Sequence, residues 1–199
     1  MRNANPAPKT LEIHPLTPDR WADFESLFGM RGACGGCWCM WWRRTRADFL
    51  AGKGEGNRGA MRALVESGEV PGLLAYSAGR PVGWVSLGPR AQFTRLARSR
   101  TLAPVDDRAV WSVVCFFVAK DARGRGVAGA LLRAAADFAL ARGARILEGY
   151  PTDDPPKPLP APFVYTGVTS LFVKAGFREA ARRSPSRPVM RLDLGRRTR

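Results

Sequence analysis

The chain has 199 residues, 45% of them hydrophobic, and its 32 Lys and Arg against 17 Asp and Glu leave a net charge of +15. This length and apolar share suit one globular domain with a real core, and no apolar run approaches the roughly 20 residues of a membrane span. Four cysteines, three of them crowded between positions 34 and 39, do not make a secreted disulfide framework. MRNANPAPKT has no apolar signal-peptide core, so a cytoplasmic protein is expected.

Residues 1–10 are expected to be disordered, residues 11–194 to form the domain, and residues 195–199 to be a basic tail. Leu11–His14 alternates as a short strand. Thr17 and Pro18 open a helix over Asp19–Phe28, with Thr17 as N-cap and Pro18 in its first turn. Trp21, Phe24, Leu27 and Phe28 share its core face. Gly32–Arg44 then sets Cys34, Cys37 and Cys39 among Trp38, Trp41 and Trp42. Only His14 and Cys115 are left to complete a closed zinc site, and no second ligand pair has the matching spacing, so no metal is expected. No thioredoxin-like pattern surrounds Cys34 and Cys37 either. Reduced thiols wedged among indoles are the plain reading.

Residues 45–68 continue helically with a flexible break at Gly52–Gly56. Pro71–Ser77 and Pro81–Leu87 read as a hairpin. Gly88–Asp107 is a long basic connector, of a length that is functional or mobile in most proteins. Its arginines and those of residues 178–199 form a solvated surface that also attracts anions. The charge is not gathered on one groove-reading helix, so nucleic acid is not the expected partner.

Trp111–Val118 is an apolar, β-branched and aromatic run of strand length. From Val127 onward, Val127, Leu131, Leu132, Ala135, Phe138 and Ala139 recur at helical spacing, and Gly143 suits a left-handed C′ position. Between strand and helix lies Asp121-Ala-Arg123-Gly124-Arg125-Gly126-Val127-Ala128-Gly129. Glycines admit close approach, and the free N–H groups of a first helical turn point at a ligand. Arg123 and Arg125 add charge-assisted donors. The stretch reads as a pyrophosphate cradle. Gly124, Gly126 and Gly129 match the dinucleotide fingerprint, with Glu148 placed as its ribose-binding acid. In that fold, however, the glycines follow the strand almost at once, and here a looser turn carrying Lys120 and Asp121 intervenes. A P-loop is excluded, because no Gly-Lys-Ser/Thr occurs.

Arg145–Tyr150 reads as a strand parallel to Trp111–Val118, since a strand–helix–strand unit closes right-handed. Pro151–Pro162 is an extended proline-rich loop. Tyr165-Thr-Gly-Val leads into a helix that runs through Ala175 and ends at Gly176. Phe177–Ala180 and Val189–Leu194 supply the last strands.

Val118, Arg123, Gly126 and Ala128 fit V-x-x-x-x-R/Q-x-x-G-x-G/A at the end of a strand, and Leu171-Phe172-Val-Lys-Ala-Gly176-Phe177 is similar to L-Y-x-x-x-G-F. In this order the two resemble the core motifs of the Gcn-type N-acetyltransferase superfamily (GNAT), over roughly residues 11–194. The resemblance implies an α/β fold with a mixed, mostly antiparallel sheet of about six or seven strands, splayed parallel central strands and flanking helices. It implies acetyl-CoA as cosubstrate, with the pantetheine arm along Phe116, Phe117 and Val118. The adenosine diphosphate end would lie on Arg123, Gly124, Arg125, Gly126, Val127, Ala128 and Gly129, and Phe172 would join the cofactor site.

The implied reaction is direct attack by a primary amine of a small molecule or peptide, and the Trp38–Trp42 cluster would wall that acceptor. A homodimer is compatible with the sequence. Many relatives use the tyrosine of the second motif as proton donor, and here that position is Phe172. Tyr150, Tyr165 and Ser170 are the other donors. Tyr165 could face the same way only if the helix already began there, and Gly167 argues against it. Glu148 is the expected base, with Asp153 and Asp154 as alternatives. Cys115 reads as a small buried hydrophobe rather than a nucleophile. A non-catalytic acyl-CoA-binding module and an NAD-binding protein are the competing readings.

Overall fold

The apolar run Trp111–Val118 forms β4, the middle strand of a seven-stranded sheet in the computed structural model, which describes residues 10–157, 160 and 163–195. The sheet runs β1 (Leu11–Pro15), β2 (Gly72–Ser77), β3 (Arg80–Pro89), β4, β5 (Ile146–Gly149), β7 (Pro188–Asp193) and β6 (Arg178–Arg182). Every neighbouring pair is antiparallel except β4 and β5. These two pair only at Trp111–Leu147, Ser112–Glu148 and Val113–Gly149 and then part, as the resemblance implied. The parting coincides with a bulge: β3 keeps Ser86 opposite Cys115 and Leu87 opposite Val113, which leaves Val114 as the extra residue.

One face of the sheet is covered by α5 (Val127–Ala141), whose Val127, Leu131, Leu132, Ala135, Ala136 and Ala139 are all buried. Gly83 on β3 lets α5 come close, because a side chain there would collide with Val127 and Leu131. The other face carries α1 (Trp21–Phe28) with α2 (Arg46–Ala51) and α3 (Glu55–Glu66). Phe24, Phe28, Trp38 and Trp84 pack there as one aromatic cluster. Thr45 caps α2 by accepting the Asp48 N–H at 3.2 Å. Arg43 is buried and donates to the Pro71 and Leu87 carbonyls and to Gln92, pinning the Trp-rich loop to the sheet.

Several boundaries differ from the sequence reading. The helix expected over Asp19–Phe28 begins as a 3-10 turn at Pro18–Arg20, and the Thr17 hydroxyl accepts from Arg20 at 2.8 Å instead of capping a backbone N–H. The connector 88–107 is not structureless. It holds a 3-10 turn at Arg90–Gln92 and α4 (Thr94–Ala97), with Phe93 and Leu96 fully buried. Apolar anchors at helical spacing override its proline and arginine content. The helix after Tyr165 is α6 (Thr169–Lys174), and Gly167 stands before it in a left-handed conformation at φ +84°. Residues 1–9 and 196–199, expected to be a disordered start and a basic tail, lie outside the described residues, as do 158, 159, 161 and 162 of the proline-rich loop.

Phe172 of α6 is 0% exposed and meets Phe116 and Phe177 edge-on, at ring separations of 6.2 and 5.1 Å. It also lies against Gly149 and Gly167, where any side chain would collide with its ring. Its place is the core beneath the parting strands, whereas the sequence reading sets it in the cofactor site. Replacing Phe172 by Ala is expected to cost about 3–5 kcal/mol, read as a lowered urea midpoint at unchanged m-value.

Candidate active site

Where β4 and β5 part, β4 keeps an edge that β5 no longer covers. Backbone groups cannot stay unpaired in an interior, and the structure fills part of this edge from the far side of the proline-rich loop. The Phe116 N–H donates to the Tyr165 carbonyl at 2.6 Å. The loop itself is tied back by Thr152 N–H to the Gly167 carbonyl at 3.0 Å and by Thr169 N–H to the Thr152 carbonyl at 3.0 Å. Strand alternation aims Val118 to the same side as Phe116, and the Val118 carbonyl accepts from Arg123 Nε at 3.0 Å. Phe116 itself is buried toward α5, while Phe117 turns to the other face against Phe28.

Beyond β4 the chain makes a 3-10 turn at Lys120–Ala122 and then Arg123–Gly126, all four exposed. Gly124 and Gly126 hold φ of +73° and +78°, which other residues rarely adopt, and open space lies beside both. Gly126 is the N-cap of α5 and no side chain caps that end, so the first N–H groups, from Val127, Ala128 and Gly129, face outward. Glycine conformations, a helix start and two arginines suit the turn to an anion. The 3-10 turn separates it from the strand, so the tight strand–glycine junction of the dinucleotide fold is absent.

Glu148 lies at the other side of the parting but is only 1% exposed. One carboxylate oxygen accepts from Arg191 Nε at 2.7 Å, and the other accepts from the Tyr150 hydroxyl at 2.7 Å and from Arg90 at 3.4 Å. Tyr150 is fully buried and its oxygen accepts from Arg90 at 2.7 Å and lies 2.8 Å from Ser112 Oγ. Burial, then the Glu148 charge, push the Tyr150 phenol far above its ordinary range. Arg191 also grips Asp106 at 2.6 and 3.0 Å. Arg191 and Arg108 hold the Asp106 carboxyl well below the usual carboxylate range. Glu148, the expected base, and Tyr150, an expected proton donor, both lie inside this closed network, with each Glu148 oxygen already accepting a hydrogen bond. The alternative bases are also engaged: Asp153 by Arg182 and Thr169, Asp154 by Ser170.

Tyr165 arrives at the parting from the loop rather than from the helix. Its ring is 6.5 Å from that of Trp42. Burial first, and then the Cys115 thiol, push its phenol up to about 12. Of the three indoles expected to wall an acceptor, Trp38 and Trp42 are buried at 4% and 7% exposure, and Trp41 alone reaches the surface. Arg95 stacks 3.7 Å above the Trp41 ring. The site therefore collects the β4 edge at Phe116–Val118, the cradle at Arg123–Gly129, and Tyr165 with Cys115 and Trp41 on the face away from α5.

The model of the acetyltransferase (GNAT) family matches residues 38–155, more than half of the chain. The chain belongs to that family. None of the curated proteins matches its sequence. Solved structures of the GNAT fold match it over nearly their full length. An N-acetyltransferase from Staphylococcus aureus Mu50 is 16% identical, covers 93% of this chain and 99% of its own, and has a TM-score of 0.54. The PaiA N-acetyltransferase from Thermoplasma acidophilum, solved with coenzyme A, is 12% identical over 92% and 99%, at 0.53. YncA from Salmonella typhimurium, solved with its cofactor acetyl-CoA, is 15% identical over 92% and 94%, at 0.52. Likeness at such identities establishes the fold and no more. No helix among the described residues is long and apolar enough to cross a membrane.

The GNAT sequence motifs pointed to the turn at Arg123–Gly129 but missed the Arg90–Glu148–Arg191–Asp106 network. Its members are spread from the connector to the last strand. The one available signal was charged residues inside otherwise apolar strand patterns at Glu148 and Arg191. Replacing Glu148 by Ala leaves the Arg90 guanidinium without a carboxylate and Arg191 with Asp106 alone, and about 3 kcal/mol of stability is expected to be lost. Urea unfolding checks it, and a variant of undiminished stability that loses only activity would return Glu148 to a catalytic role. The depressed Asp106 carboxyl contributes stability above its ordinary value of 3.8 and loses it as pH falls below that point. The Tm gap between wild type and Asp106→Asn should therefore be full at neutral pH and narrow as pH drops below about 4.

Proposed function

We propose that this protein moves an acetyl group from acetyl-CoA to a primary amine of a small-molecule or peptide acceptor, by direct attack on the thioester. The observation that carries the reading is the pairing of an uncapped helix start and left-handed glycines with a half-open strand edge, in a chain of the acetyltransferase family. Val127, Ala128 and Gly129 N–H groups with Arg123 and Arg125 suit the phosphates. The backbone of β4 near Val118 suits the amides of the pantetheine arm, as an added strand would. Two neighbours of the same fold were solved with coenzyme A or acetyl-CoA, which supports the same cosubstrate here.

Acetyl-CoA supplies the thioester, and the chain supplies its placement. The Phe116 N–H is engaged by Tyr165, so the arm meets β4 beyond that contact, with the Tyr165 ring on the acceptor side. A phenol held at about 12 stays protonated at neutral pH and can pass its proton to a departing thiolate. We assign that role to Tyr165, in place of the hydroxyl that Phe172 lacks. With Glu148, Asp153 and Asp154 engaged, the amine proton leaves to solvent. The acceptor reaches the site past Trp41, whose exposed indole carries the Arg95 guanidinium on its ring.

Isothermal titration tests the cradle. Micromolar binding of acetyl-CoA is expected, with no preference for NAD, and it should be lost in Arg123→Ala/Gly126→Glu. An amine screen at saturating acetyl-CoA should then show turnover that falls about 10- to 100-fold in Tyr165→Phe, the range of a single proton donor. Binding without turnover of any amine would leave an acyl-CoA-binding module, and a preference for NAD would overturn the reading altogether.

A further inference from the structure

The acetyl-transfer reading asks only that the acceptor carry an amine, and the wall of the site formed by α4 and the Trp-rich loop asks for more. Arg95 of α4 reaches back over that loop. Its backbone N–H donates to the Trp42 carbonyl at 3.2 Å. Its guanidinium lies 3.7 Å from the centre of the Trp41 ring and 5.8 Å from that of Phe49, and those two rings meet edge-on at 5.1 Å. Tyr165 packs against the buried cluster that contains Trp42, Phe93 and Leu96, with its ring 6.5 Å from that of Trp42. The connector therefore delivers one cation to the surface at Trp41, on the side of the site where Tyr165 stands.

Nothing among the described residues uses this charge. Arg90 and Arg191 converge on Glu148, and Arg43 donates to the Pro71 and Leu87 carbonyls. Arg95 has no ion pair, and its Nε and one terminal nitrogen are buried without a hydrogen-bond partner. Asp48, next to Phe49 on α2, accepts from the Thr45 hydroxyl at 2.6 Å instead. Buried charged donors that lack an acceptor are costly. Stacking on an indole offsets part of that cost but supplies no acceptor. Burial lowers the Arg95 pKa, and the Tyr165 phenol works in the opposite direction. The guanidinium nevertheless stays charged in water of any ordinary pH. With one face on the ring, it keeps its donors at the edge, where a fork of N–H groups matches a carboxylate.

We propose that the acceptor is an amine that also bears a carboxylate, and that Arg95, held on Trp41, binds this carboxylate. The amine half of the proposal rests on the acetyl-transfer reading. The neutral nitrogen attacks the thioester carbonyl, a C–N bond forms and the C–S bond breaks. The amine proton leaves to solvent and the thiolate takes one from Tyr165, so an N-acetylated acid and CoA depart. The carboxylate enters none of these bonds. It orients the amine, and Arg95 selects against acceptors whose only charge is positive, which the +15 net charge of the chain also repels.

Two measurements test it. With saturating acetyl-CoA, release of CoA is followed for the common amino acids, each beside its carboxamide, and for polyamines and aminoglycosides. Acceptors are expected among the free acids. The carboxamide of the best one should lose about 10- to 100-fold in kcat/KM, the range of one charge-assisted hydrogen bond. Arg95→Met, which keeps an apolar stem over Trp41, should lower the free acid by the same factor and erase the preference, with acetyl-CoA affinity retained. Arg95→Lys should fall between the two, and Arg98→Met, at the exposed end of α4, should keep the preference. Independently of turnover, millimolar N-acetylglycine should change the tryptophan fluorescence of the wild type but not of Arg95→Met or Trp41→Phe, and N-acetylglycinamide should change none of them. That change without turnover of any amine would support the carboxylate site and sink acetyl transfer. Turnover confined to amines without a carboxylate, a preference that survives Arg95→Met, or loss of acetyl-CoA affinity in Arg95→Met would overturn the carboxylate site and leave acetyl transfer standing.

Discussion

Three residue pairs hold β4 to β5, and the character of the molecule follows from the pairing stopping there. A parallel pair that continued would bury both strands and leave no edge for a ligand. The bulge at Val114 turns β4 away just as β5 ends at Gly149. The gap this opens must then be made good from elsewhere. Phe172 fills it from below and the Tyr165 carbonyl satisfies Phe116 from the side, which leaves the stretch toward Val118 and the glycine turn as the open part. One topological event therefore fixes the core packing of α6, the course of the loop before it and the position of the anion cradle.

The second constraint is electrostatic. Glu148 and Tyr150 sit under the parting with Arg90 from the connector and Arg191 from β7 converging on them. Stripping such charges of water costs several kcal/mol per ion, and mutual attraction roughly offsets it. The network's effect is thus better described as positional than as stabilising. It holds the connector, β5 and β7 in one register, and a slip of any of them would strand a charge. The basic connector earns its arginine here, which composition alone presented as surface charge.

Much of this was legible in the sequence because it rested on local patterns. The period of α5, the apolar run of β4 and the glycines at 124 and 126 announce a strand, a turn and a helix start without tertiary information. The site beyond the cradle was less legible. Glu148 looked like a base because a carboxylate at a strand end can be one, and only the fold shows two arginines reaching it from distant segments. Tyr165 was judged by helical spacing, whereas a loop hydrogen bond from its carbonyl ties it to β4. Trp38 and Trp42 read as a surface wall and proved to be core, since an indole's side is chosen by its neighbours and not by its own chemistry.

The packing of Phe172 has a consequence for how this chain differs from relatives with tyrosine in the second motif. The Cε1 side of its ring lies so close to Gly149 that no side chain could stand there. Phe172 is fully buried, so a hydroxyl added to its ring would have to find room in a packed core. The difference is therefore one of packing as well as of a missing oxygen. Glycine at 149 and phenylalanine at 172 form a matched pair, because a side chain at 149 would meet the ring where it now stands.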